Sequence, residues 1–324
     1  MRPVRHALVV LAAFALSPAA ALSQAPGGQL APPAAPRLFA PGVLEVIPPD
    51  LNPEEATSVH DIVELRSIRG LNWSPQLLAK SETIYSKSAD VRFRRGVWQL
   101  EFAFKPLRMM WVQLPKPSGE MEKRLLWYLV FRVTNRGDAI TPTEEEGGFF
   151  DAKKAPAGPQ RFVSQFVLEG HDVDAAGNKL YRAYLDRLIP AAIEPIRRRE
   201  VPGRKLLSTV ELAKQAIPIS TEDNEQSVWA VATWTDIDPE MDFFSVFVRG
   251  LTNAYRWEDP EGAYRAGDPP GKGRRFVRKT LQLNFWRPGD QFLPHESEIR
   301  FGAAPGREAL YGVGEGVAYR WVYR

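Results

Sequence analysis

The sequence predicts an all-β protein, two tandem β-sandwich domains joined by a short helical connector. Short segments rich in aromatic and β-branched residues alternate between apolar and polar positions, the period-2 signature of strands. Turn chemistry separates them, as in NRGD (135–138), DIDPEMD (236–242) and RPGD (287–290). Three short matches also recur in the same order in the two halves. They are VW (97–98 and 228–229), TN (134–135 and 252–253) and RFV (161–163 and 275–277). The TN-to-RFV spacings are 27 and 23 residues, and the VW-to-TN spacings are 37 and 24, so a duplication places an insertion in the first half. One larger β-sandwich is the alternative reading.

Residues 1–23 have the layout of a secretory signal peptide. Arg2 and Arg5 precede the apolar run ALVVLAAFAL and a small-residue stretch. The apolar run is shorter than the roughly 20 residues a membrane span needs, so the mature chain is expected to have no transmembrane segment. Residues 24–54 are rich in proline, alanine and glycine and read as a spacer, with VLEVI (43–47) expected to dock on the first domain. Domain 1 is expected over 55–200 and domain 2 over 201–324.

In VWQLEFAF (97–104), Trp98, Leu100, Phe102 and Phe104 share one face, while Gln99 and Glu101 lie on the other. LLWYLVFRV (125–133) is apolar on both faces, as a central strand buried on two sides requires. SVWAVATW (227–234), FFSVFV (243–248), TLQLNFW (280–286) and YRWVYR (319–324) are further strands. Between the halves, AAIEPIRRRE (191–200) and STVELAKQA (208–216) read as helical, the second opened by a Ser208/Glu211 capping box. Past the RFV matches, Phe162, Phe166 and Leu168 take even positions, but Val277, Leu281, Leu283 and Phe285 take odd ones. Aligning the two requires a one-residue bulge.

The buried strand running into Thr-Asn and a turn, LVFRVTNRGD (129–138), resembles secreted bacterial β-sandwich modules of immunoglobulin-like type. The chain as a whole resembles secreted bacterial proteins of no assigned activity. This implies a fold class and an exported, periplasmic or extracellular setting, but no substrate. The tryptophan-plus-disulfide signature of antibody domains is absent.

Composition closes several chemistries. With no cysteine, disulfides, thiolate zinc sites, iron–sulfur clusters and cysteine nucleophiles are excluded. Loss of Arg2 and Arg5 takes Lys+Arg from 42 to 40 against 39 acids, so the mature charge falls from +3 to +1 and gives nucleic acid no support. The local basic runs Arg197–Arg199 and RRFVRK (274–279) read as solvated faces or as contacts for an anionic polymer, glycan or lipid headgroup. His60, His171 and His295 are each followed by an acid, a pairing that does not chelate by itself.

No HExxH or GxSxG arrangement is present. HDVDAAGNKLY (171–181) carries too few carboxylates for a calcium loop and reads as a hairpin turn, with Gly177 and Asn178 at positive φ. YGVGEG (311–316) lacks the strand–helix context of a phosphate loop. No cofactor and no metal is expected. Arg136-Gly137-Asp138 matches an adhesion tripeptide but reads as the exit turn of a buried strand.

The remaining signal is aromatic. Tyr255, Trp257 and Tyr264 lie in or beside a Gly/Pro-rich loop, as do Phe149 and Phe150 in the other half. They are the candidate ligand-binding residues of a non-enzymatic, exported binding or structural protein. Its expected partner is an envelope protein or a glycan. The competing class is a polysaccharide hydrolase using carboxylates such as Glu144, Glu145 and Glu146, or the acids of 258–261.

Overall fold

An apolar run such as LLWYLVFRV needs two buried faces, and the structure supplies both. The computed structural model describes residues 44–59, 92–146, 150–258, 260, 273–288 and 298–324. The expected signal peptide and residues 24–43 of the spacer lie outside these residues. In chain order the strands are β1 (Glu45–Ile47), β2 (Thr57–Val59), β3 (Arg92–Arg94), β4 (Val97–Trp98), β5 (Glu101–Phe104), β6 (Arg108–Pro115) and β7 (Met121–Thr134). Then come β8 (Ala139–Glu144), β9 (Phe150–Lys154), β10 (Gln160–Arg161), β11 (Gln165–Gly170) and β12 (Ala183–Leu185). Helix α1 (Pro190–Glu200), β13 (Leu207–Ser208), α2 (Thr209–Ala213) and β14 (Ala216–Ile217) follow. The chain continues through β15 (Val228–Thr235), β16 (Phe243–Arg249), β17 (Tyr255–Glu258), β18 (Arg275–Trp286), β19 (Arg300–Phe301), α3 (Glu308–Tyr311) and β20 (Tyr319–Tyr323). The protein is predominantly β.

Strand β7 organises the first sheet, in the order β1-β5-β7-β15-β13 with β6 also on β7. Its odd positions Trp127, Leu129, Phe131 and Val133 enter the main core, and its even positions Leu126, Tyr128 and Val130 enter a second cluster. That second cluster lies under α1, which contributes Ala192 and Ile196. Pro190 opens this helix at a position where its missing N–H has no intrahelical partner to lose. Opposite β7, Phe104 faces Phe131 and Arg108 faces Tyr128, so residues 105–107 oppose only 129–130. This one-residue bulge at Lys105-Pro106-Leu107 separates β5 from β6.

Local carboxylates settle the arginines of α1. Arg197 and Arg198 both bond Glu194, and Arg199 approaches Glu200 at 3.5 Å. Glu200 is itself buried, accepting from Tyr128 Oη at 2.8 Å with Arg108 at 3.6 Å and Lys105 at 3.7 Å. Burial, then the Glu200 charge, holds the Tyr128 hydroxyl far above its ordinary pKa. The basic run is thus locally neutralised.

The second sheet runs β12-β11-β16-β18-β17, with β19 and β20 on the other edge of β18. Phe166, Leu168, Phe244, Val246, Val248, Leu281, Leu283 and Phe285 point from it into the main core. Aromatic contacts join the two sheets there. Ring centroids are 4.8 Å apart for Phe131–Phe166, 5.4 Å for Trp127–Phe244 and 5.1 Å for Phe104–Phe301. Such contacts fix orientation as well as burying apolar area.

The expected boundary near residue 200 does not separate the sheets. β15 pairs with β7 over eight residues, from Val228↔Val133 to Thr235↔Leu126, and β11 pairs with β16. Each sheet therefore draws strands from both expected domains, and the described residues belong to one unit, Ala35–Arg324. The physical reason is the shared core: apolar faces from both halves are buried against each other rather than separately.

The short sequence matches pair crosswise. Trp98 N–H donates to Asn253 Oδ1 at 2.9 Å, and Asn253 Nδ2 donates to the Gly96 carbonyl at 2.9 Å. Reciprocally, Trp229 faces Arg132, and Thr134 Oγ1 meets Ser227 Oγ at 2.8 Å. The RFV matches differ in environment: Phe162 is fully buried and Phe276 is 58% exposed.

Candidate functional site

Two of the expected ligand-binding residues lie on a strand rather than in a loop. In β17, Tyr255 sits opposite Arg278 of β18, and Trp257 sits opposite Phe276. Directly opposed residues share a face, so one side of this ribbon presents Tyr255, Trp257, Phe276 and Arg278. Tyr255 and Phe276 meet edge to face at 5.8 Å. The Arg95 guanidinium lies 3.8 Å over the Tyr255 ring and donates to the Tyr255 carbonyl at 2.7 Å, while Arg274 lies 4.1 Å over Trp257. Cation–π contacts of this kind hold the charges on the ring faces. Thr252, Asn253, Ala254, Tyr255, Phe276 and Arg278 line a depression of about 400 Å³.

Phe150, 38% exposed on β9, carries the Arg94 guanidinium at 3.5 Å. The consecutive Arg94 and Arg95 thereby link Phe150 to Tyr255. Phe149 and Tyr264 lie outside the described residues. Among the described residues, no carboxylate pairs with Arg94, Arg95 or Arg278. Phe276 was not among the residues expected from sequence. Its even position in a strand whose odd positions face the core was the available signal.

A second cluster covers the outer face of the second sheet. His171, Ser245, Gln282 and Asn284 are all buried there, and Tyr311 closes over His171 at a ring distance of 5.1 Å. Hydrogen-bond directions can be assigned from the outside inward. Asn284 Nδ2 donates to the Val317 carbonyl at 3.2 Å, which turns Oδ1 toward Ser245 Oγ, 2.8 Å away. An amide oxygen only accepts, so Ser245 donates to it. His171 Nε2, 2.7 Å from Ser245 Oγ, then donates to the serine, and the ring is the Nε2-protonated tautomer. Burial, the largest cause, lowers the His171 pKa from 6.5 to about 4; Lys179, Arg324 and Arg320 also lower it, against Glu169.

This polarity is opposite to that of a serine nucleophile, whose hydroxyl must give its proton to histidine. Ser245 is also fully buried. The cluster is therefore a polar floor, not a hydrolytic dyad. His60 and His295 lie outside the described residues.

Other sequence candidates have structural roles. Arg136 bonds both oxygens of Glu101, at 3.2 and 3.3 Å, and the buried Gly137 donates its N–H to Asn135 Oδ1 at 2.9 Å. The Arg-Gly-Asp tripeptide is thus an Asx-type exit turn. Asp174 Oδ1 accepts from the Ala176 and Asn178 amides, closing the hairpin turn, in which Gly177 alone takes positive φ. Glu145 pairs with Lys153 at the surface. Among the described residues there is no group of three or more His, Asp or Glu side chains able to hold a metal ion, and no helix is long and apolar enough to cross a membrane. The chain matches no protein-family model, no curated protein and no solved structure.

Proposed function

We propose that the chain is an exported, non-enzymatic binding protein of the cell envelope or extracellular space, and that its arginine–aromatic ribbon contacts an acidic glycan. The single observation that carries this reading is Phe276. It stands exposed beside Tyr255, flanked by Arg95 and Arg278, which have no carboxylate partner among the described residues. A sugar ring offers an apolar face to an aromatic side chain, and its carboxylate or sulfate meets a guanidinium. The near-neutral mature charge favours a local contact of this kind over a polyanion held along its length. In the same reading the two sheets form a single β-sandwich in place of two tandem immunoglobulin-like domains, supported by the aromatic core they share.

The test is binding of the full chain to immobilised polygalacturonate, with dextran as the neutral control and single-stranded poly(dT) as a competing polyanion. Saturable, salt-sensitive binding to polygalacturonate is expected, weakened about tenfold in Phe276→Ala and in Arg278→Gln. Unchanged binding in both variants, or preference for poly(dT), overturns the reading.

A further inference from the structure

We propose that the depression on the outer face of the second sheet binds a small ligand made of one oxyanion group, phosphate or carboxylate, on an apolar or aromatic body. The cavity measures about 370 Å³, within the range of small-molecule sites. Three cations line it, Lys179, Arg320 and Arg324, against one carboxylate, Glu169, which Arg324 already holds at 2.9 Å. Phe247, Tyr181, Leu310 and Val322 supply apolar lining, and Tyr181 is 88% exposed.

Arg320 carries the argument. Its Nε donates to Gln282 Oε1 at 2.9 Å, Nη2 to the Tyr311 carbonyl at 3.2 Å, and Nη1 to the Gly312 carbonyl. All three acceptors are neutral, and among the described residues no carboxylate pairs with this guanidinium. Three of its five N–H groups are used, leaving one on each terminal nitrogen to donate to an oxyanion. A neutral side chain would satisfy the same carbonyls without placing a half-buried charge there. Gly312 makes room for it: at φ +66°, an added Cβ would lie 3.2 Å from Arg320 Nη2. Gly312 of YGVGEG thus serves a cation seat rather than a phosphate loop. Because His171 donates its Nε2–H to Ser245 as a hydrogen bond and stays neutral, the buried floor adds no charge of its own.

This site is separable from the ribbon, although Arg278 and Arg324 exchange backbone hydrogen bonds at the shared edge. The experiment is calorimetric titration of the full chain with phenyl phosphate, benzoate and, as a neutral body of similar size, benzyl alcohol. Saturable binding of at least one anion and none of benzyl alcohol is expected, and the preferred anion assigns the ligand as phosphate or carboxylate. Arg320→Met and the exposed Lys179→Ala are each expected to weaken it about tenfold, with Phe276→Ala unchanged. If Arg320→Met does not fold, Lys179→Ala and Tyr181→Ala decide. Absence of saturable anion binding, equal binding of benzyl alcohol, or wild-type affinity in Lys179→Ala and Tyr181→Ala overturns the proposal.

Discussion

The two sheets bury polar groups on their outer faces in opposite ways. Over the first sheet, the end of α1 holds one buried acid, Glu200, surrounded by Lys105, Arg108, Arg199 and the Tyr128 hydroxyl. Under α3 and the segment leading to β20, the second sheet holds a neutral amide–serine–histidine layer with an arginine at its rim. The first arrangement answers its charge internally and fastens a helix. The second leaves positive charge facing a cavity. Burial of polar groups therefore does not by itself mark a site; the sign and direction of what remains unanswered does.

The largest expected effect tests the closed face. Glu200→Gln strands the surrounding cations and is expected to lower stability by about 4 kcal/mol in denaturant unfolding. A near-neutral result would remove the contrast between the faces. Next comes pH. The unfolded chain protonates His171 near 6.5, but the folded chain does so only near 4. Stability is therefore lost as pH falls through that window, by about 3 kcal/mol in total. His171→Gln is expected to abolish this part of the slope, measured as the difference between wild-type and variant unfolding curves. Tyr128→Phe, which removes one hydrogen bond to a buried carboxylate, is expected to cost about 1.5 kcal/mol. Lys179→Ala, fully on the surface, is expected to change stability by less than about 0.5 kcal/mol while weakening anion binding.

The strands were legible because their signal is local. The doubly buried run of β7 and the Ser208/Glu211 cap of α2 stand where periodicity and capping chemistry put them, whereas the run expected as one strand over 97–104 is split into β4 and β5, which join different sheets. Gln99, on the face opposite the apolar one, is also buried, and its backbone bridges to Thr252 across the fold. Partner choice was not legible. Nothing within LVFRVTN states that SVWAVATW, about 100 residues on, is its neighbour. The same limit hid the second-sheet site. Ser245 within FFSVFV and Gln282 and Asn284 within TLQLNFW showed their shared outer face by parity, but only pairing of β16 with β18 brings them under His171. Of the expected binding residues, Tyr255 and Trp257 lie on one face of β17, a strand that the Gly/Pro-rich sequence beside it does not reveal.

The contrast between the faces is tested most directly by arginine side-chain NMR on the full chain during titration with phenyl phosphate. The expected result is saturable shifts of the Arg320 and Arg324 Nε–Hε signals, with those of Arg108 and Arg199 unmoved. Equal shifts at both faces, or an unmoved Arg320, would contradict the account.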